Sequence, residues 1–201
     1  MKHTLEFDGI DHAYGHNHVL AGVHVRCDTG EVVGLLGRNG SGKSTLMKIV
    51  FGTLMPNSKS VRVDDERLTE DYFNRKLIRY LPQEKFLPSH LKVKKLLGLF
   101  DVDYQLLVDS FPEFESYGSY YPGQLSGGYR RILEVVLLLK SKSLFCLLDE
   151  PFSGLMPVHI DTLKKLIAEE KQRKGIMISD HLYRHVLGVS DRVYVLANKC
   201  T

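Results

Sequence analysis

Eight consecutive residues, Gly37-Arg38-Asn39-Gly40-Ser41-Gly42-Lys43-Ser44, have the spacing G-x-x-x-x-G-K-[ST]. Glycines let successive backbone N–H groups curl around a polyphosphate, and a helix opening at the end of the motif adds the positive end of its dipole. A lysine there reaches the β- and γ-phosphates, and a hydroxyl ligates Mg²⁺. Lys43 and Ser44 are therefore the expected phosphate and metal contacts. Gly37, Arg38, Asn39, Gly40, Ser41, Gly42 and Thr45 complete the expected nucleotide-binding loop. A second constellation, Asp149-Glu150, ends an apolar run over residues 144–148. Carboxylates at the carboxyl end of a buried strand lie where α/β sheets bind ligands. Asp149 is expected to ligate Mg²⁺ directly or through water, and Glu150 to polarise an attacking water as general base. An acidic pair after a strand carries little weight alone, and the lysine loop is what lends it a role.

Such groups need rigid elements beneath them, and the pattern supplies these. Val23, Val25 and Cys27 alternate with His24, Arg26 and Asp28, a turn follows at Asp28-Thr29-Gly30, and residues 31–36 read as a buried strand feeding the glycine-rich loop. Residues 44–50 have the apolar spacing of a helix packed on that sheet. Residues 61–63 and 78–81 read as further strands, with Asp64-Asp65 as a turn. Between Pro88 and about Tyr121, Val93, Leu96, Leu97, Phe100, Tyr104, Leu107 and Val108 recur at three- and four-residue spacing, which predicts an inserted helical subdomain. Strand patterns return at residues 144–148, 176–179 and 192–196. A helix over about 158–174 carries Leu163, Leu166 and Ile167 on one face, with Gly175 expected to stop it. Strands alternating with helices predict an α/β fold with a mostly parallel sheet covered on both faces.

Composition narrows the class of function. The 201 residues carry 27 Lys plus Arg against 24 Asp plus Glu, a net +3, too small a surplus for a surface that wraps nucleic acid. A hydrophobic fraction of 43% with 25% charged residues is that of a globular chain and excludes disordered or collagen-like readings. No apolar run approaches the roughly 18 residues that cross a bilayer, and the N-terminal residues do not read as a secretory signal. Cys27, Cys146 and Cys200 are odd in number and far apart, which reads as reduced residues in a cytoplasmic protein. His12, His16 and His18 lack a completing carboxylate or Cys, so they read as a polar loop beside nucleotide and not as a metal site. Lys92, Lys94 and Lys95 read as a solvated helix face.

Leu125-Ser126-Gly127-Gly128-Tyr129-Arg130-Arg131, just before a Leu- and Val-rich helix, distinguishes this chain from other nucleotide hydrolases and kinases. With the glycine-rich loop, the Asp-Glu pair, Gln83 and His181 in the same order, the chain resembles the ATPase subunit of an ATP-binding cassette transporter over nearly its whole length. The resemblance implies a P-loop NTPase with an N-terminal antiparallel β subdomain. It also implies one domain over residues 1–201, with an ATP-binding core at 1–84 and 126–201 and a helical subdomain at 85–125. Tyr14 then resembles the aromatic residue that stacks on adenine. Gln83 resembles the glutamine that touches Mg²⁺ and attacking water, and His181 the switch histidine that contacts the γ-phosphate. Ser126, Gly127 and Gly128 are expected to act in trans, since the family implies that they lie too far from their own Lys43. Two copies, or one copy and a like subunit, would then sandwich two ATP molecules head to tail.

The implied activity is ATP hydrolysis driving a separate transmembrane permease, from a peripheral position on the cytoplasmic face, with no nucleic-acid partner expected. Two departures stand out. Tyr129 replaces the usual Gln of the signature, and Met156 the usual Asp ending the loop after Asp149-Glu150. Met156 we read as altering coupling or rate and not as evidence against hydrolysis, and both departures bear on turnover. They leave open the alternative of a non-transport ATP-gated dimerisation switch in translation, DNA repair or regulation, with slow or no hydrolysis. A P-loop small-molecule kinase would need an arginine lid in place of Leu125-Ser126-Gly127-Gly128. The short insert and an end directly after a strand suggest a minimal version without C-terminal regulatory elements. Phe86, Leu87 and Leu91, where the insert begins, are expected to be exposed apolar contacts for the permease, the alternative being that all three pack inside the insert.

Overall fold

The computed structural model describes residues 2–68 and 77–201. Four strands, β1 (Thr4–Tyr14), β2 (Asn17–Asp28), β4 (Ser58–Val63) and β5 (Glu66–Arg67), form an antiparallel sheet in the order β2-β1-β4-β5. Five others, β3 (Val32–Leu36), β6 (Ile78–Leu81), β7 (Phe145–Asp149), β8 (Gly175–Ser179) and β9 (Arg192–Val195), form a second sheet in the order β6-β7-β8-β3-β9. All four pairings in the second sheet are parallel. Among the described residues the helices are α1 (Lys43–Phe51), α2 (Val93–Leu99), α3 (Tyr104–Ser110), α4 (Gly127–Lys140), α5 (Pro157–Glu170) and α6 (Tyr183–Leu187), with 3₁₀ turns at Pro112–Ser116 and Pro122–Gln124.

The parallel sheet is covered on both faces, as its apolar strands require. β7 and β8 are buried at every position. Val32, Leu81, Cys146, Leu148, Ile176 and Ile178 face a core shared with α4, α5, α6 and the helical insert. Val33, Leu35, Ile78, Tyr80, Phe145, Leu147 and Met177 face a second core, made with α1 and the antiparallel sheet. Alternation along each strand thus assigns successive side chains to different cores. Helix α4 is the axis of the first core, with residues 131–139 buried in an unbroken run. Each of its fully buried Leu and Ile side chains contributes roughly 1.5–3 kcal/mol by leaving water.

Several expectations change. The first strand was not legible, because register shifts between Phe7 and Ile10, Ile10 and His12, and His12 and Ala13 break its two-residue alternation. Tyr14, the residue expected to stack on adenine, is the last residue of that strand. Tyr14 pairs with Asn17, so the expected polar loop is only the Gly15-His16 turn, and His12 is a buried strand residue packed edge-on against Tyr14. Leu87 is buried, and Phe86 and Leu91 are half-buried against the first core, so these three are not an exposed docking patch. The short insert needs their apolar surface to seal its own interior. Cys27 and Cys146 are buried, while Cys200 is exposed.

Gly175 also has a different role. Helix α5 ends at Glu170, and the chain turns before Gly175 opens β8. A Cβ at Gly175 would stand 2.7 Å from the Phe145 ring, 2.8 Å from the Asp28 carbonyl oxygen and 2.9 Å from the Cys27 sulfur. Glycine is required because β8 passes directly against both a neighbouring strand and the end of the antiparallel sheet. Gly175→Ala is expected to destabilise the fold by about 1–3 kcal/mol through overpacking, read from the urea midpoint. An unchanged midpoint would contradict this close approach.

Candidate active site

Between β3 and α1 the chain reverses through Gly37 to Gly42. Gly42 is the N-cap of α1 with φ 101, and a Cβ there would lie 2.8 Å from Leu20 and 2.9 Å from Val19. Left-handed backbone and close packing both demand glycine at that point. Lys43 Nζ donates to the carbonyls of Gly37 at 2.9 Å and Arg38 at 3.1 Å. Burial pushes its pKa down, against the pull of Asp149 and Glu150. The first turn of α1 carries no acidic residue, so the positive end of its dipole is uncompensated.

An open cleft of about 710 Å³ lies over this loop, lined by Asn39, Gly40, Gly42, Lys43, Ser44 and Thr45 with Tyr14, Val19, Gln83, Glu150 and His181. Its size suits a small-molecule ligand. Gly37, Arg38 and Ser41 do not line it, because the turn closed by Ser41 N–H donating to the Arg38 carbonyl at 3.1 Å directs them toward residues 195–199. Tyr14 is 52% exposed at the cleft.

Parallel pairing brings the remaining predicted residues to the same edge. Asp149 ends β7, Gln83 follows β6, and His181 follows β8. The Gln83 amide Nε2 lies 3.0 Å from Ser44 Oγ, 3.4 Å from Asp149 Oδ1 and 3.1 Å from Glu150 Oε1. Burial raises the pKa of Asp149 despite hydrogen bonds from Ser44 and Gln83, and its Oδ2 is buried with no hydrogen-bond partner among the described residues. Beneath it, burial also raises the phenol of Tyr80. His181 Nδ1 lies 3.6 Å from Glu150 Oε2 and 3.4 Å from Asp180 Oδ1.

Glu150 has φ 55, a left-handed conformation uncommon for a residue with a side chain, which costs about 1–3 kcal/mol. The surrounding backbone holds it there. Its N–H donates to the Ser179 carbonyl at 2.6 Å, and its own carbonyl accepts from Ser153 N–H at 3.2 Å. Asp180, which sequence reasoning passed over, is buried and accepts from the N–H groups of Phe152 and Leu182, each at 2.9 Å, clamping the loops after β7 and β8 together. Among the described residues no group of three or more His, Cys, Asp or Glu side chains is placed to hold a metal ion. The oxygens gathered around Gln83 are instead of the kind that hard cations take.

Ser126, Gly127 and Gly128 do not line this cleft. Ser126 is the N-cap of α4, its Oγ accepting from Tyr129 N–H at 3.2 Å, and no acidic residue occupies the first turn. Ser126 and Gly127 are exposed, so donors at the start of a 14-residue helix face outward. Tyr129 packs its ring among Phe114 at 5.6 Å, Tyr117 at 5.5 Å and His159 at 5.7 Å. His159 Nε2 in turn lies 3.2 Å from Glu113 Oε1. The tyrosine that departs from the family's usual signature thus ties the helical insert to α4 and α5.

Residues 20–153 match the family described as ABC transporter. Over 208 residues the chain is 34% identical to the high-affinity branched-chain amino acid transport ATP-binding protein BraG of Pseudomonas aeruginosa, covering 96% of this chain and 89% of the relative. It is 30% identical over 210 residues to the lipopolysaccharide export system ATP-binding protein LptB of Escherichia coli strain K12, covering 96% and 87%. A solved ATP-binding subunit of an ABC transporter superposes with a TM-score of 0.88 at 27% identity, over 98% of this chain and 87% of that one.

Tyr129→Ala is expected to lower stability by about 2 kcal/mol, less than the roughly 3–5 kcal/mol of a fully buried aromatic. Tyr129→Phe, which keeps the ring, is expected to melt with the wild type. Equal losses in the two variants, measured by thermal unfolding, would rule out ring packing as the reason for this residue.

Proposed function

The chain belongs to the ABC transporter family, and on that premise we propose how its residues act as the ATP-hydrolysing subunit of a transporter. The division into an ATP-binding core, residues 1–84 and 126–201, and a helical subdomain, residues 85–125, is part of this reading. One observation carries it. The Gln83 amide lies within 3.4 Å of Ser44, Asp149 and Glu150 at once, in the cleft that also holds Lys43.

In this reading adenine stacks on Tyr14, and the phosphates lie over the loop from Gly37 to Thr45. Lys43 exchanges its Gly37 and Arg38 carbonyl partners for the β- and γ-phosphate oxygens. Ser44 Oγ, the Asp149 carboxylate and the Gln83 side-chain amide, turned to present its oxygen, form a donor set suited to Mg²⁺. The unpartnered buried Asp149 Oδ2 is the acceptor such an ion would satisfy. An Mg²⁺ ion held by these three residues would supply charge neutralisation for the phosphates. Glu150 accepts a proton from the water that attacks the γ-phosphorus, and ADP leaves. His181, on the far side of Glu150 from Gln83, orders that water and the γ-phosphate.

Ser126, Gly127 and Gly128 serve the ATP of a second copy, or of a like subunit, in a head-to-tail dimer. This is supported by their outward-facing helix terminus and by their absence from the cleft of their own chain. The work is delivered to a separate transmembrane permease at the cytoplasmic face, a reading supported by the relatives that are ATP-binding proteins of transport and export systems. No helix among the described residues is long and apolar enough to cross a membrane. Two relatives of nearly equal similarity are named for branched-chain amino acid transport and for lipopolysaccharide export. Cargo so unlike is selected by the permease.

Lys43→Ala is expected to lower ATP affinity and turnover together, because it removes phosphate neutralisation. Glu150→Gln is expected to keep affinity while lowering turnover by about 10²- to 10⁴-fold, the usual contribution of a general base. Turnover of Glu150→Gln at the wild-type rate, in an assay of phosphate release, would remove Glu150 from the reaction.

A further inference from the structure

Arg131 lies five residues after Ser126, inside the first turns of α4, and only 8% of it is exposed. A guanidinium has five N–H donors, and here every one is engaged. One NH1 bond runs to the Pro82 carbonyl at 2.8 Å, and the other pairs with Glu134 Oε2 at 3.2 Å. NH2 donates to the Asp149 carbonyl and, at 3.1 Å, to the Glu150 carbonyl, which Nε also reaches at 3.3 Å. Glu134, itself buried, balances the charge and is braced by Arg130 Nε at 3.1 Å.

The three carbonyls belong to the backbone immediately before Gln83 and to Asp149 and Glu150. No part of Arg131 lines the cleft, so its effect there must pass through these backbone groups. The peptide after Glu150 leaves a left-handed residue, and Arg131 fixes the direction of that peptide's carbonyl. We infer that Arg131 is a positioning residue for hydrolysis, holding Glu150 and Gln83 in fixed relation to the Ser126 end of α4. The helix that presents Ser126 to a second copy is thereby bonded directly to the groups that activate water. A lysine could not replace it, because an ammonium lacks the planar fork that spans separated acceptors. This inference rests on the reading of Glu150 as the general base.

The test compares Arg131→Met with Lys174→Met. Lys174 is a second buried cation bonded to carbonyls, those of Leu139 at 2.6 Å and Ser141 at 2.8 Å, but at the opposite end of α4. Both variants lose buried hydrogen bonds and are expected to melt earlier. Arg131→Met is expected to lower kcat per folded molecule by about 10²-fold, the scale of a misplaced reacting group. Affinity for a fluorescent ATP analogue should stay within about threefold, as a loss confined to the transition state requires. Lys174→Met is expected to keep the wild-type kcat per folded molecule. Wild-type kcat in Arg131→Met, or an equal fall in kcat in both variants, would overturn the inference. Should Arg131→Met fail to fold, Arg131→Lys decides by the same criterion, with lowered kcat at retained affinity supporting the role and wild-type kcat refuting it. Glu150→Gln is assayed alongside. If it hydrolyses ATP at the wild-type rate, the reading of the whole site fails, whereas an inactive Glu150→Gln beside a fully active Arg131→Met defeats the positioning role alone.

Discussion

Parallel pairing of β6, β7, β8 and β3 is the constraint on which everything else rests. Strands running the same way deliver their following loops to the same edge, and here those loops carry Gln83, Asp149-Glu150, His181 and Lys43. Register matters as much as direction. Leu81 pairs with Leu148 and Asp149 with Ser179, so Gln83 and Glu150 leave the sheet side by side. A slip of one residue would exchange the core faces of a strand buried on both sides and would point Asp149 away from Ser44. The two apolar cores are therefore what aligns the polar groups.

How much of this was legible follows from what each element needs. β3, β7 and β8 are buried on both faces and showed as short apolar runs, α1 as helical spacing beside its motif, and α4 as a Leu- and Val-rich stretch after Leu125-Ser126-Gly127-Gly128. β1 was invisible because its bulges break the alternation. α6 has five residues, too few to show a period. Gly175 was misread because a glycine after a helical pattern resembles a stop, whereas its reason is a contact between distant strands. Phe86, Leu87 and Leu91 were misread because apolar residues at the start of an insert look the same whether they seal its interior or face a partner. Within the site, the loop, the acidic pair, Gln83 and His181 were all marked by spacing or family order. Arg131 was not, since in a run of Tyr129-Arg130-Arg131 it resembles surface charge. The signal that could have found it was Glu134, a carboxylate three residues on in an otherwise apolar helix.

The two departures from the family's pattern separate on structural grounds. Tyr129 occupies a ring cluster joining α4, α5 and the insert, so its replacement of Gln serves packing within one chain. Met156 is 54% exposed as the N-cap of α5, and nothing among the described residues accounts for it. The cleft itself is built from one chain, yet the exposed helix terminus expected to meet the γ-phosphate does not line it. That combination gives the account its central claim, that a complete hydrolytic site needs two copies.

Mixing Lys43→Ala with Ser126→Arg subunits tests this claim most directly. Each mixed dimer would contain one composite site with both residues intact and one with both altered. The account expects ATPase activity in the mixture above that of either variant alone, rising with the fraction of mixed dimers. No gain over the parents, in a mixture where mixed dimers are shown to form, would contradict it.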